Sequence, residues 1–278
     1  MNRPLEPAKA KAAATYNAAS DHFDDEPLGF WDRYGTRTVE RLALSAGSTV
    51  LDVGCGSGAS AIPAASIVGP DGHVIGADLA ERLLDFARDK ARRKGLSNLE
   101  FRYGDMEALG YPDAMFDAVI SVFSVFFVAD MTKQVAELWR MVRPGGQLAI
   151  TTWGPRMFEP GSRAWWNAVK AHAADLHSAF TPWERITTVE AVLELLAGAG
   201  VPDPHVVAES GRQSLRTADD WWMIVMGSGY RWTVDQMNAE TVRRVREDNL
   251  RQLRDGGVTS VENQCHIRHR PEAVPVKS

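Results

Sequence analysis

The chain has 278 residues, and 31 Lys+Arg against 36 Asp+Glu leave a formal charge of −5; hydrophobic residues make up 45% and charged residues 24%. That balance is ordinary for a globular protein with enough chain to bury a core unaided. Two cysteines, Cys55 and Cys265, exclude a disulfide framework or a four-cysteine zinc site, and an acidic balance without a long basic run argues against a nucleic-acid partner.

The longest apolar stretch, Val119 to Ala129, is interrupted by Ser121 and Ser124. It falls short of the roughly 20 residues a bilayer needs. The N-terminus is Ala- and Lys-rich and lacks the apolar core of a secretory signal. The expectation is a cytoplasmic enzyme with no membrane span and no metal.

Residues 1–45 read as helical and carry Tyr16, Phe23, Phe30, Trp31 and Tyr34. Thr49 to Val53 is a β-branched, apolar strand that breaks at Gly54. Ser60 to Val68 reads as a short helix, with Pro63 tolerated in its first turn. His73 to Ala77 is a second strand ending at Asp78. From about Ala80 to Lys94, Leu83, Phe86, Ala87 and Ala91 recur near helical spacing; Arg92-Arg93-Lys94 suits the negative C-terminal end and Gly95 caps it.

Leu99 to Tyr103 is a third strand, followed by Gly104-Asp105, and Phe116 to Ser121 a fourth. Asp130 N-caps a helix to about Met141, Arg143-Pro144-Gly145-Gly146 stops it, and Gln147 to Thr152 is a fifth strand. Such alternation predicts a parallel sheet covered on both faces.

The remainder is less regular. Residues 153–230 hold most of the nine tryptophans. A helix is expected near Val189 to Ala197, with Thr187 and Glu190 at capping-box spacing. His205 to Glu209 reads as a sixth strand, Val234 to Arg254 as an Arg-rich amphipathic helix, and Val261 to Arg268 as a last, edge strand.

The chemistry sits in Val50-Leu51-Asp52-Val53-Gly54-Cys55-Gly56-Ser57-Gly58-Ala59. A strand runs into glycines that open a helix and let a ligand approach the backbone. Gly54, Gly56 and Ala59 satisfy the dinucleotide pattern in its G/A form, but Asp52 would lie near a pyrophosphate and repel it. A carboxylate there suits an α-ammonium group. Asp78, 20 residues after Gly58, stands at the tip of the second strand, where a ribose diol is held. Asp105 follows the third strand, where an adenine amino group could donate to it. An amine, a ribose and an adenine without phosphates describe S-adenosylmethionine.

Leu51 to Gly58, Gly76-Ala77-Asp78-Leu79, Gly104-Asp105-Met106 and Phe116-Asp117 to Ser121, ending in the Arg143-Pro144-Gly145-Gly146 turn, together resemble a class I S-adenosylmethionine-dependent methyltransferase. The branch is similar to the quinone-biosynthesis and other small-molecule enzymes. The resemblance covers about residues 48–153, with weaker agreement at 187–210 and 258–268. It implies an α/β, Rossmann-like sheet of seven strands, mostly parallel with the last antiparallel, helices on both faces, and the cofactor across the C-terminal strand ends. It places methionine-moiety contacts at Asp52, Gly54 and Gly56, with Cys55 and Gly58 in the same loop. The ribose contact falls at Asp78, with Leu79 beside it among the cofactor residues, adenine contacts at Asp105 and Met106, and a further contact at Ser121.

Three segments are expected: an N-terminal helical lid over 1–45, the cofactor-binding core over 46–153, and a helical cap or acceptor region with the last two strands over 154–278. Tyr16, Trp31, Tyr34, Phe123 and Trp153 are the candidate acceptor residues, because aromatic faces attract a sulfonium and suit an apolar acceptor. Plain packing of the N-terminal aromatics on the sheet is the competing account. Residues 218–254 leave two roles open, acceptor pocket or homodimer contact.

After the fourth strand the chain reads Ser121-Val122-Phe123-Ser124, not the Asn-Pro-Pro-Tyr type of tetrapeptide, which argues against an exocyclic-amine or amide acceptor. The expected reaction is in-line methyl transfer to a small, largely apolar molecule. No catalytic residue is assigned; His22 is the one candidate base in the N-terminal segment. Asp117 reads as structural, and His172, Asp175 and His177 as surface residues. Alternatives are a catalytically silent adenosyl-binding or scaffold protein, a macromolecule methyltransferase, and a nicotinamide-dependent oxidoreductase, against which Asp52 argues.

Overall fold

A computed structural model describes residues 7–23, 25–178 and 181–269, and the side chains of 268 and 269 are outside that description. The extreme ends of the expected first and third segments, 1–6 and 270–278, lie outside the described residues.

The strands are β1 (Thr49–Val53), β2 (His73–Asp78), β3 (Leu99–Tyr103), β4 (Phe116–Val122), β5 (Val142–Trp153), β6 (His205–Ser214) and β7 (Ser260–His269). They form one sheet in the order β3-β2-β1-β4-β5-β7-β6. Strands β1 to β5 pair in parallel, and β7 runs antiparallel to both β5 and β6. From β1 the chain moves to β2 on one side, and β4 lies on the other. This is the switch point at which open α/β sheets leave a crevice beyond their strand ends.

The helices are α1 (Pro7–Ala19), α2 (Phe30–Glu40), α3 (Ala61–Val68), α4 (Glu81–Arg93), α5 (Met131–Arg140), α6 (Gly161–His172), α7 (Val189–Gly198), α8 (Ala218–Met226), α9 (Arg231–Asp235) and α10 (Ala239–Asp255). Side chains alternate across the sheet, so each strand feeds two cores. Val50, Ala118, Ile120 and Ala149 pack with Ala61 and Ala65 of α3 and Leu84 and Ala87 of α4. Leu51, Val119, Leu148 and Ile150 pack with Leu138 of α5 and Leu196 of α7. Asp117 is structural, as expected: its Oδ2 accepts from Thr49 N at 2.7 Å and its Oδ1 from Arg143.

Four local expectations are corrected. β7 is not an edge: it lies between β5 and β6, and β6, which runs on to Ser214, forms the edge. The α7 cap is Thr188, whose hydroxyl accepts from Ala191 N at 3.2 Å, one residue later than the Thr187 spacing predicts. The stretch 234–254 is broken, because Asn238 caps a new helix by accepting from Thr241 N at 2.9 Å. Arg143 to Gly146 does not separate α5 from the fifth strand but lies inside β5, where the pairing with β4 is irregular.

The tryptophan pairs split as adjacent residues on a helix must. Trp165 and Trp221 are fully buried, while Trp166 and Trp222 are half-buried. Trp221 Nε1 donates to Asn249 Oδ1 at 2.8 Å, which ties α8 to α10.

Candidate functional site

The glycine loop leaves β1 with Gly54, Gly56 and Gly58 at φ +73°, +51° and +84°, a region that favours glycine. It is bound to the neighbouring strand tip. Gly54 N and Cys55 N donate to Ala77 O at 2.8 and 3.1 Å, and Gly56 N donates to Asp78 Oδ2 at 2.8 Å. Asp78 Oδ1 accepts from Ala80 N at 2.7 Å and fixes the entry to α4. Burial raises the Asp78 pKa, against the backbone donors that stabilise its charge. A carboxylate on the Gly56 amide makes this loop a poor seat for a diphosphate.

A cleft enclosing about 880 Å³ of empty space, part of it open to solvent, lies over this loop. Gly54 to Ser57, Asp78 to Ala80 and Gly104 with Met106 line its floor. Lys9, Ala12, Ala13 and Tyr16 of α1 form the roof, spaced as one helix face. Phe23, Trp31, Phe123 and Phe127 close one end. Trp31 stacks on Phe23 with centroids 5.2 Å apart, and Phe123 stacks on Trp153 at 3.8 Å.

The roof helix is tied down at both ends. Lys9 Nζ donates to Asp105 Oδ2 at 2.6 Å and Glu107 Oε2 at 2.5 Å. Asn17 Oδ1 accepts from Arg82 N at 3.0 Å, and the Arg82 side chain pairs with Asp21 at 2.7 Å. Burial alone would lower the Lys9 pKa, but the two carboxylates outweigh it and raise it.

Of the candidate cofactor residues, Gly54, Cys55, Gly56, Asp78, Leu79 and Met106 line the cleft. Asp52, Gly58, Asp105 and Ser121 do not. Asp52 is fully buried beneath the loop, where Ser60 Oγ donates to its Oδ2 at 2.6 Å and its Oδ1 has no partner among the described residues. Burial pushes its pKa up to about 7. Asp105 is held by Lys9, and Ser121 lies behind Ser124, their hydroxyls 2.6 Å apart.

Of the candidate acceptor residues, Tyr16, Trp31 and Phe123 line the cleft. Trp153 lines a smaller recess beyond it. Tyr34 lines neither; its hydroxyl donates to Asn263 O, and burial raises its pKa to about 12. His22 also stands outside the cleft, paired with Asp25 at 3.0 Å.

Sequence reasoning passed over Lys9, Ser57, Ser124 and Phe127. Ser57 Oγ is buried in the cleft wall and has no partner among the described residues, so it is a free donor for a ligand carboxylate. The α1 stripe of Lys9, Ala12, Ala13 and Tyr16 was the signal for the roof, but small alanines make it faint.

Residues 50–146 match a family model described as a methyltransferase domain. The chain is 33% identical over 144 residues to the aklanonic acid methyltransferase DauC of Streptomyces sp. (strain C5), covering 52% of this chain and 66% of that protein. It is 36% identical over 137 residues to a demethylmenaquinone methyltransferase of Listeria welshimeri, covering 49% and 57%. The chain thus spans less than two thirds of these relatives' lengths. The crystal structure of the 4+2 cyclase SpnF aligns over 97% of this chain and 98% of its own at a TM-score of 0.61 and 20% identity, which is a likeness of fold. A SAM-dependent methyltransferase from Aquifex aeolicus aligns over 68% and 89% at 0.51 and 23%. Glycine loop, strand-tip carboxylate and family match coincide on one segment, residues 50–146, which matches a methyltransferase domain.

Proposed function

We propose that the whole protein is an S-adenosylmethionine-dependent methyltransferase acting on a small, uncharged, largely apolar acceptor. The observation that carries this reading is the cleft itself: Asp78 at one side of the glycine loop, and a wall of Tyr16, Trp31, Phe123 and Phe127 at the other.

The residues present fit the cofactor. The Asp78 oxygens each accept one backbone N–H and keep lone pairs for a ribose diol. Ser57 Oγ and the loop backbone suit a methionine carboxylate, and Leu79, Met106 and Leu83 offer apolar surface to an adenine. Among the described residues Lys9 is the one cation in the lining, and two carboxylates already occupy it, so none of them compensates a diphosphate. Asp52 acts on this reading as a positioning residue, fixing Ser60 beneath the loop.

When bound, the cofactor supplies a methyl group on a positively charged sulfur. The chain's part is to align the acceptor and exclude water. The aromatic wall does both, and its ring faces attract a cation. Apart from Asp78, which the loop amides hold for the ribose, Tyr16 is the lining residue nearest to a base, but burial and the charge on Asp78 raise its pKa, so it stays a neutral phenol. In-line displacement at an activated methyl needs no strong base where the acceptor loses its proton easily. A relative named for demethylmenaquinone supports a ring compound as the acceptor class, whereas the one named for aklanonic acid acts on an acid and lends nothing to the uncharged reading.

The test is calorimetric titration with S-adenosylhomocysteine, followed by a screen of uncharged ring acceptors for a mass gain of one CH₂. Micromolar binding that Asp78→Ala abolishes, with turnover on some acceptor, is the expected result. Absence of binding overturns the reading. Binding without turnover across the panel supports the silent adenosyl-binding protein instead.

A further inference from the structure

Behind Trp31 a second, narrow recess of about 220 Å³ of empty space opens towards the helical cap. It shares Tyr16 and Trp31 with the cleft, so the two cavities adjoin at these rings. Its other walls are Trp153, Phe158, Trp183 and Tyr230, with Ser228 and Gly229 at the start of α9. Trp183 reaches in because residue 229 is glycine: a Cβ there would lie 2.4 Å from the indole.

Two of the lining residues each carry a polar atom that is buried without a partner among the described residues. Ser228 is 2% exposed and its Oγ bonds nothing; Trp31 is 8% exposed and its Nε1 bonds nothing. Tyr230 is already satisfied, its hydroxyl donating to Ser162 Oγ at 2.9 Å. An orphaned buried donor is the exception in a folded protein and asks for an explanation. Among the described residues, none that lines the recess carries a charge. Trp Nε1 can only donate, and Ser Oγ can donate or accept. The group that completes both is an uncharged oxygen acceptor. An anion would find no counter-charge, and a hydrocarbon would leave both donors unmade.

We propose that this recess is an oxygen-recognition subsite, in which Ser228 and Trp31 take the carbonyl or hydroxyl oxygen of an uncharged ring acceptor whose ring lies against the cleft's aromatic wall. The inference deepens the methyltransferase reading and rests on it for the word acceptor. The recess is narrow and takes a substituent, not a ring. A resident water is the rival occupant, since two polar partners suffice to hold one, and the experiment below separates it from a ligand oxygen.

The experiment compares 1-naphthol, naphthalene and 1-naphthoate by equilibrium dialysis against the full chain with S-adenosylhomocysteine present. 1-Naphthol is expected to bind several-fold tighter than naphthalene, and 1-naphthoate weakest. Ser228→Ala should weaken 1-naphthol about five-fold, the size of one ordinary neutral hydrogen bond, and leave naphthalene unchanged. Trp31→Phe, which keeps a ring but removes the donor, should shrink the same preference. Ser228 Oγ has no partner among the described residues, so its removal should cost the fold little.

Equal affinity for 1-naphthol and naphthalene, or a preference that survives both substitutions, overturns the subsite and leaves water in the recess. Binding of 1-naphthoate as tight as that of 1-naphthol overturns the uncharged class. S-adenosylhomocysteine binding is read separately: its failure overturns the methyltransferase reading, whereas a lost preference with that binding intact overturns this inference alone.

Discussion

Lys9 Nζ lies 2.6 Å from Asp105 Oδ2, so a buried ammonium of the roof helix occupies the carboxylate that strand position alone assigns to an adenine amine. The pair joins residues 96 apart in the chain and clamps α1 over the cleft.

Replacing Lys9 with Met should therefore loosen the roof more than it damages the fold. Asp105 and Glu107 keep 21% and 31% of their side-chain surface exposed and can be resolvated, which limits the stability loss to about 1–2 kcal/mol. S-adenosylhomocysteine should associate and dissociate faster in K9M, as stopped-flow fluorescence would show. Asp105→Asn should then add little in the K9M background. If it still weakens the ligand there, Asp105 reads the adenine directly and the clamp account is wrong.

Much of the sheet was legible because β1 to β5 are apolar runs bounded by glycines and acidic tips, and short-range pattern governs such segments. Of the candidate cofactor residues, Gly54, Gly56 and Asp78 line the cleft, as residues at the strand tips can be placed from the motif. It does not reach positions where a side chain's direction decides. Asp52 shares its strand face with Val50, which packs against α3, so period-two alternation sends its carboxylate under the loop and away from the cleft. Asp105 pairs with Lys9, which is far away in sequence, so no local pattern could show that partner. Ser228 and Tyr230 carry no motif, since nothing local says which part of the cap meets the cleft.

Gly54 is required by Ser124 as well as by its φ of +73°. A Cβ at residue 54 would lie 2.3 Å from Ser124 Cβ, and Ser124 Oγ is anchored on Val53 O at 2.9 Å. Gly54→Ala should destabilise by about 3 kcal/mol, combining left-handed strain with overpacking. Adding Ser124→Gly should recover the overpacking part, about 1–2 kcal/mol, and not the strain. Urea denaturation of the three variants checks this; no recovery in the double variant would mean that the two residues do not meet.

Asp52 gives stability a pH dependence of defined sign. Its folded pKa, pushed up to about 7 by burial, lies above the unfolded value of about 4. The native state therefore holds a proton that the unfolded chain has released, and stability falls as pH rises between these values. Three units correspond to about 4 kcal/mol as an upper bound. Asp52→Asn removes this contribution, so wild type should lose stability relative to D52N from about pH 4 to about pH 7. Parallel stability curves for the two proteins across that window would show that Asp52 is ionised in the native state.

Phe123 combines a left-handed backbone, φ +51°, with a ring stacked 3.8 Å from Trp153 and edge-on to Trp31 at 5.7 Å. Truncation to Ala removes the stack and keeps the strain, and should destabilise by about 3–5 kcal/mol. Truncation to Gly removes both. At an ordinary position Gly is worse than Ala by about 0.5–1 kcal/mol, but here Ala bears a left-handed penalty of about 1–2 kcal/mol that Gly does not. F123G should therefore match or exceed F123A in stability, by up to about 1 kcal/mol. Both should bind S-adenosylhomocysteine more nearly like wild type than they bind a ring acceptor, because the ring forms the aromatic end of the cleft. An F123G protein less stable than F123A would show that residue 123 has an ordinary backbone in solution, and the aromatic wall would then need a different geometry.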